Sequence, residues 1–99
     1  MEKSGTKYKY SGRVSKNTIM ILNIKYFGVL ADITKKKEEQ VVLDDSNLTV
    51  NSLKLKMESV YQELQKNSYS IAVNQTISGM DVTIKHQDVI AFLPPFAGG

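Results

Sequence analysis

The amino-acid sequence predicts an α+β domain in which a mixed sheet carries one main helix packed on one of its faces. Three observations carry that expectation: short runs of β-branched and aromatic residues near both ends of the folded part, a single stretch with helical apolar spacing between them, and clusters of turn formers separating the segments. With 99 residues and 41% hydrophobic side chains, the chain has material for one core and one domain.

Met20 to Phe27 (MILNIKYF) is apolar with polar interruptions at Asn23 and Lys25, so it reads as a half-buried first strand ended by Gly28. A short apolar turn from Val29 to Ile33 leads into the solvated stretch Lys35 to Glu39, and Gln40 to Leu43 resumes as a second strand, suggesting a hairpin. Turn formers follow from Asp44 to Asn47. Thr49 is then a plausible N-cap for a helix running to about Lys66. Val50, Leu53, Met57, Val60, Tyr61 and Leu64 fall along one stripe of that helix, which marks the Met and Tyr as packing residues. Asn67 and Ser68 close it. A third strand is expected at Ser70 to Val73, a turn at Asn74-Gln75, a short strand around Thr76 to Ser78 and a further turn at Gly79. Val82 to Ile84 adds one irregular turn, and Val89 to Leu93 is the last strand. The order ββαβ(β)β, with a single helix over a mixed sheet, is that of the ubiquitin-like β-grasp architecture.

The formal charge of +3 is unevenly placed. Residues 1–18 hold Lys3, Lys7, Lys9, Arg13 and Lys16 against Glu2, so that this segment alone nets +4 and the rest of the chain nets −1. This polar basic leader has too few apolar residues to pack, and is expected to be disordered or non-native. No base-reading motif accompanies it, so no nucleic-acid role is assigned. The expected organisation is therefore a leader at 1–18, a folded domain at 19–93 and an extended tail at 94–99.

Internal chemistry is scarce. The absence of cysteine removes disulfides, thiolate nucleophiles and Cys-based metal sites. His86 is the single histidine and sits in a polar turn; Asp81 and Asp88 read as turn and capping residues, and no phosphate-cradling glycine loop is present. No metal site is expected. No apolar run approaches the roughly 18 residues of a membrane span, and no signal segment opens the chain, so a cytoplasmic protein without membrane contact is expected.

What remains is the end, Pro94-Pro95-Phe96-Ala97-Gly98-Gly99. The two prolines lack amide hydrogens and steer the chain away from the sheet, which leaves Phe96 as an exposed anchor for a partner. Gly98 and Gly99 have no Cβ, so they can thread a narrow channel and place the terminal carboxylate against another protein's catalytic groups.

From Met20 to Gly99 the chain resembles the small, sulfur-carrying subunits of molybdopterin synthase, MoaD-type members of the MoaD/ThiS ubiquitin-like family. The resemblance is carried by Ile24 to Gly28, by Ala72-Val73-Asn74-Gln75-Thr76 and by the ending from Asp88 to Gly99. It implies that an E1-like adenylyltransferase activates the Gly99 carboxylate with ATP, that sulfur delivery then gives a C-terminal thiocarboxylate, and that the sulfur passes to cyclic pyranopterin monophosphate on the large synthase subunit. The chain would bind no stable cofactor and would be the sulfur-donating, non-catalytic subunit of a heterotetramer of two small and two large subunits. By the same resemblance Phe27, Phe92, Pro94, Pro95, Phe96, Ala97 and Gly98 would form the surface that docks onto the partners. Ala31-Asp32 and Gln87-Asp88 depart from the family pattern. Three alternatives stay open: a thiamine-pathway sulfur carrier, a ubiquitin-like protein modifier attached to lysines, and a β-grasp binding module with an inert end.

Overall fold

The computed structural model describes residues 19–44 and 47–95; the leader 1–18, residues 45–46 and the end 96–99 lie outside the described residues. Among the described residues, five strands form one sheet: β1 (Ile19–Tyr26), β2 (Glu38–Asp44), β3 (Ser70–Val73), β4 (Thr76–Ile77) and β5 (Val89–Leu93). Their order is β2-β1-β5-β3-β4, with β1 and β5 parallel in the middle and the other pairs antiparallel. Helix α2 (Val50–Val60) covers one face. The expected mixed sheet with one main helix is the observed architecture.

Alternation along the strands decides what lies beneath the helix. Met20, Leu22, Ile24 and Tyr26 of β1 point to the same side as Ile90 and Phe92 of β5 and Ile71 of β3, and all are buried with Leu53, Met57 and Leu64. Each fully buried Leu or Ile there stabilises the fold by about 1.5–3 kcal/mol. Across the layer runs a chain of rings. Tyr61 meets Tyr26 edge-on at 6.0 Å, Tyr26 meets Phe92 at 5.5 Å, and Phe92 stacks on Tyr69 at 5.3 Å.

The structure differs from the sequence expectation in several segments, one being the stretch expected to be solvated at Lys35 to Glu39, whose Glu38 and Glu39 belong to β2. Val29–Thr34 is a short helix, α1, rather than an apolar turn. It starts on amide bonds from Leu30 to the Phe27 carbonyl and from Ala31 to that of Gly28, and it ends at left-handed Lys35. α2 is capped by Thr49, whose side chain accepts from the Ser52 amide, but it stops at Val60 and continues beyond Tyr61 as a 3-10 turn, Gln62–Lys66. Tyr61 has left helical geometry, with φ −118° and ψ 84°, and its hydroxyl donates to Glu39 at 2.8 Å. Val60, expected in the apolar stripe, is 64% exposed, because it lies at the margin of that stripe in the last turn. Finally, Val82 to Ile84 is extended: Thr83 bridges Thr49, and the Val82 and Met80 carbonyls accept the Val50 and Asn51 amides that an α-helix leaves unpaired at its start.

Glu39 is the polar hub beneath the rings. Its Oε2 accepts from the Tyr26 and Tyr61 hydroxyls at 2.6 and 2.8 Å, and its Oε1 pairs with Lys36 at 3.0 Å. Burial alone would raise its pKa, yet the bonds from Tyr26, Lys36 and Tyr61 outweigh that and hold it below the ordinary 4.5. A depressed folded pKa means that the stabilisation is present above the ordinary value and is lost as pH falls through the folded one. Glu39→Gln is therefore expected to destabilise the domain by about 1–3 kcal/mol at neutral pH. In urea titrations its gap from wild type should narrow below pH 4.5. An equal gap at neutral and strongly acidic pH would contradict this account.

Candidate functional site

The face of the sheet away from α2 holds a groove of about 450 Å³, lined by Phe27, Ser70, Ala72, Gln75, Ile77, Ala91, Leu93, Pro94 and Pro95. Its shape follows from the register. Ser70 pairs with Leu93, Ala72 with Ala91 and Ala72 with Ile77, so small side chains from β3 and β5 lie side by side and make a floor. Phe27, Ile77, Leu93 and the two prolines rise around it. Phe27 and Ile77 are 45% and 62% exposed, which leaves large apolar side chains in water at the groove's edge.

Phe27 follows the last residue of β1, and its amide bonds to the Phe92 carbonyl at 3.2 Å, which fixes it beside β5. Gly28 then turns the chain with φ 56° and ψ −134°, a backbone region open to glycine alone. A Cβ at that position would lie 2.9 Å from Cγ of Pro94. The close approach of Gly28 thus seats the residue at which the chain leaves the sheet. Strand β5 ends at Leu93, because Pro94 has no amide hydrogen to continue the ladder.

On the other wall, the hairpin between β3 and β4 turns in two residues, Asn74 and Gln75, both with positive φ. Asn74 is clamped: its backbone amide donates to the Val89 carbonyl, its side-chain oxygen accepts from the Val89 amide, and its side-chain nitrogen donates to Asp88. Beyond Phe27 lies a second cavity of about 440 Å³, whose charged lining is mixed, with Lys25 and Lys37 beside Glu38.

Of the predicted docking residues, the structure brings together Phe27, Pro94 and Pro95. Phe96, Ala97, Gly98 and Gly99 lie outside the described residues. Phe92 is a correction: it is fully buried on the helix side, between Tyr26 and Tyr69, and cannot reach a partner. The alternation that exposes Ala91 and Leu93 to the groove turns Phe92 inward. Ile77, Leu93 and Gln75 are groove residues that sequence reasoning did not single out for docking, although strand alternation could have found the first two.

Among the described residues that line the groove, the polar side chains are Ser70 and Gln75, and no histidine or carboxylate lies beside them. His86 Nδ1 accepts from the Ile21 amide at 3.1 Å, and Asp88 accepts from the Lys85 amide at 2.8 Å, so both serve the turn before β5. Among the described residues, no group of three or more metal-ligating side chains gathers, and no helix is long and apolar enough to cross a membrane.

Comparison with known proteins places this geometry. The ThiS family profile matches residues 24–99. A protein described as molybdopterin converting factor, subunit 1, from Pyrococcus furiosus superposes with a TM-score of 0.73 at 21% identity, covering 78% of this chain and 99% of that one. The small archaeal modifier protein 1 of Haloferax volcanii gives 0.70 at 16% identity, over 78% of this chain and 99% of that one. A chain from the complex of subunits 1 and 2 of the molybdopterin-converting factor of Helicobacter pylori gives 0.56 at 24% identity, over 81% and 100%. At these identities the likeness is one of fold.

Proposed function

The chain belongs to the ThiS family, and from that premise we propose that it is a sulfur carrier, the small subunit of a molybdopterin synthase, that presents its Gly99 carboxylate to partner enzymes. The observation that carries the proposal is the position of the groove. The chain leaves the sheet through Pro94 and Pro95, which are themselves groove walls, and four residues later it ends in Gly98-Gly99. Four residues span at most about 14 Å. A protein that acts on Gly99 must therefore lie close to this apolar face.

The chemistry needs no catalytic side chain from this domain. A carboxylate is a poor acyl donor, so an E1-like partner attaches it to the α-phosphorus of ATP, with pyrophosphate leaving, and the resulting acyl adenylate has a good leaving group. A sulfide-level donor attacks the carbonyl carbon, AMP leaves, and Gly99 ends as a thiocarboxylate. On the large subunit that sulfur attacks a carbon of cyclic pyranopterin monophosphate, whose carbon–oxygen bond breaks with the oxygen leaving on phosphate or as water; a further water then cleaves the acyl–sulfur bond, leaving sulfur on the product and restoring the carboxylate. A cytoplasmic setting and a heterotetramer with the large subunit belong to the same proposal. The Helicobacter pylori likeness, to a chain from a complex of subunits 1 and 2, supports a large-subunit partner.

A second use, attachment to lysines of other proteins, is favoured by the likeness to the small archaeal modifier. Intact-mass measurement after incubation with the E1-like enzyme, ATP and a sulfur donor separates the two. A carrier gains about 16 Da as sulfur replaces oxygen, whereas a modifier forms lysine adducts. A mass that never changes would overturn both. The thiamine-pathway alternative is distinguished by co-purification, with thiazole synthase in place of the large synthase subunit; the Pro94-Pro95 pair favours the molybdopterin assignment.

A further inference from the structure

Gln75 occupies the second position of the two-residue turn between β3 and β4 with φ 74°, a left-handed backbone for which glycine is the usual residue. Its neighbour Asn74 tolerates such a backbone and is clamped by Asp88 and Val89. Gln75 has no such support: it is exposed, and among the described residues its carboxamide makes no hydrogen bond. The turn would form more easily with glycine. Yet this strained residue lines the groove, where it is one of two polar side chains on an otherwise apolar surface.

We infer that Gln75 is a specificity-determining residue for docking, its carboxamide reserved for a hydrogen bond with the protein that activates the chain end. The assignment rests on the carrier reading above. The occupant follows from the carrier reading: Pro95 forms the groove rim, and a protein handling the Gly99 carboxylate, four residues further along, covers this face. Apolar contact with Phe27, Ile77 and Leu93 supplies adhesion without direction. One polar group among them sets register, because a partner lacking a matching donor or acceptor leaves the carboxamide desolvated and unpaired.

The test uses the opposite signs of fold and function. Gln75→Gly is expected to raise the melting temperature by about 3–8 °C through relief of the left-handed strain. In adenylation by the E1-like enzyme, followed by pyrophosphate release, the same variant should raise KM for the carrier about five- to tenfold with kcat within about twofold. A purely structural residue predicts an unchanged KM, since wild type and the stabilised variant are both folded in the assay. Gln75→Asn, which keeps a shorter carboxamide and accepts the left-handed backbone, should fall between wild type and glycine in KM. A stabilised Gln75→Gly chain with unchanged KM overturns the assignment, as does a fall in its melting temperature. If the wild-type chain releases no pyrophosphate at all, the carrier reading fails and takes the assignment with it.

Discussion

Removal of Gly99 is expected to lower sulfur charging of the chain by at least about 100-fold, since the reacting carboxylate is withdrawn by one residue from the partner's catalytic groups. Gly98→Val should act similarly: a β-branched side chain is wide and stiff where the partner must close around the backbone. The fold should not respond. The core runs from Met20 to Phe92 and is closed by residues of the sheet, α1, α2 and the 3-10 turn. Melting temperatures of both variants should therefore stay within about 2 °C of wild type. Calorimetry beside intact-mass analysis checks both halves. A melting point lowered by about 10 °C, or full charging without Gly99, would contradict the carrier mechanism.

The two phenylalanines near the chain exit should separate stability from docking. Phe92 touches Tyr26 and Tyr69 in the middle of the core, and its replacement by alanine leaves a ring-sized cavity between parallel strand β5 and the helix layer. The expected loss is about 3–5 kcal/mol, a large share of the 5–15 kcal/mol that stabilises an ordinary domain. Phe27→Ala removes a ring that is 45% exposed, so its effect on stability should stay below about 1 kcal/mol, as expected for a surface position. Its effect on partner affinity should be large, about tenfold or more, if the ring is a buried anchor in the complex. Urea unfolding of each variant, together with titration against the E1-like enzyme or the large synthase subunit, resolves the pair. Equal destabilisation by the two substitutions would defeat the distinction.

Strand positions were legible because β-branched and aromatic runs bounded by turn formers leave few other choices: Ser70–Val73 and Val89–Leu93 are observed as expected. The helix start at Thr49 was legible for the same local reason, a hydroxyl three residues before the Ser52 amide it receives. Its end was not: Tyr61 leaves helical geometry where its hydroxyl meets Glu39, a residue 22 positions away that helical periodicity does not see. Nor did periodicity disclose Glu58, buried and bonded to Lys54 and Tyr69. The groove was half legible. Its prolines and Phe27 follow from the sequence around the chain exit, whereas its floor exists only once Ala72 and Ala91 are brought opposite one another by register. Phe92 was misplaced because the family resemblance supplied a surface without the alternation that divides β5 between its two faces.

The parallel pairing of β1 with β5 joins the first strand of the fold to the last, and these are the most distant segments that the domain must bring together. Phe27 comes from one of them, Leu93 and Pro94 from the other, and the opposite wall from β4 and the turn before it. A chain clipped within its first strand, or misfolded, still carries the right terminal residues, but it has no assembled groove to accompany them. Recognition through that surface would make activation a form of inspection, in which ATP is spent only on carriers that are intact and folded.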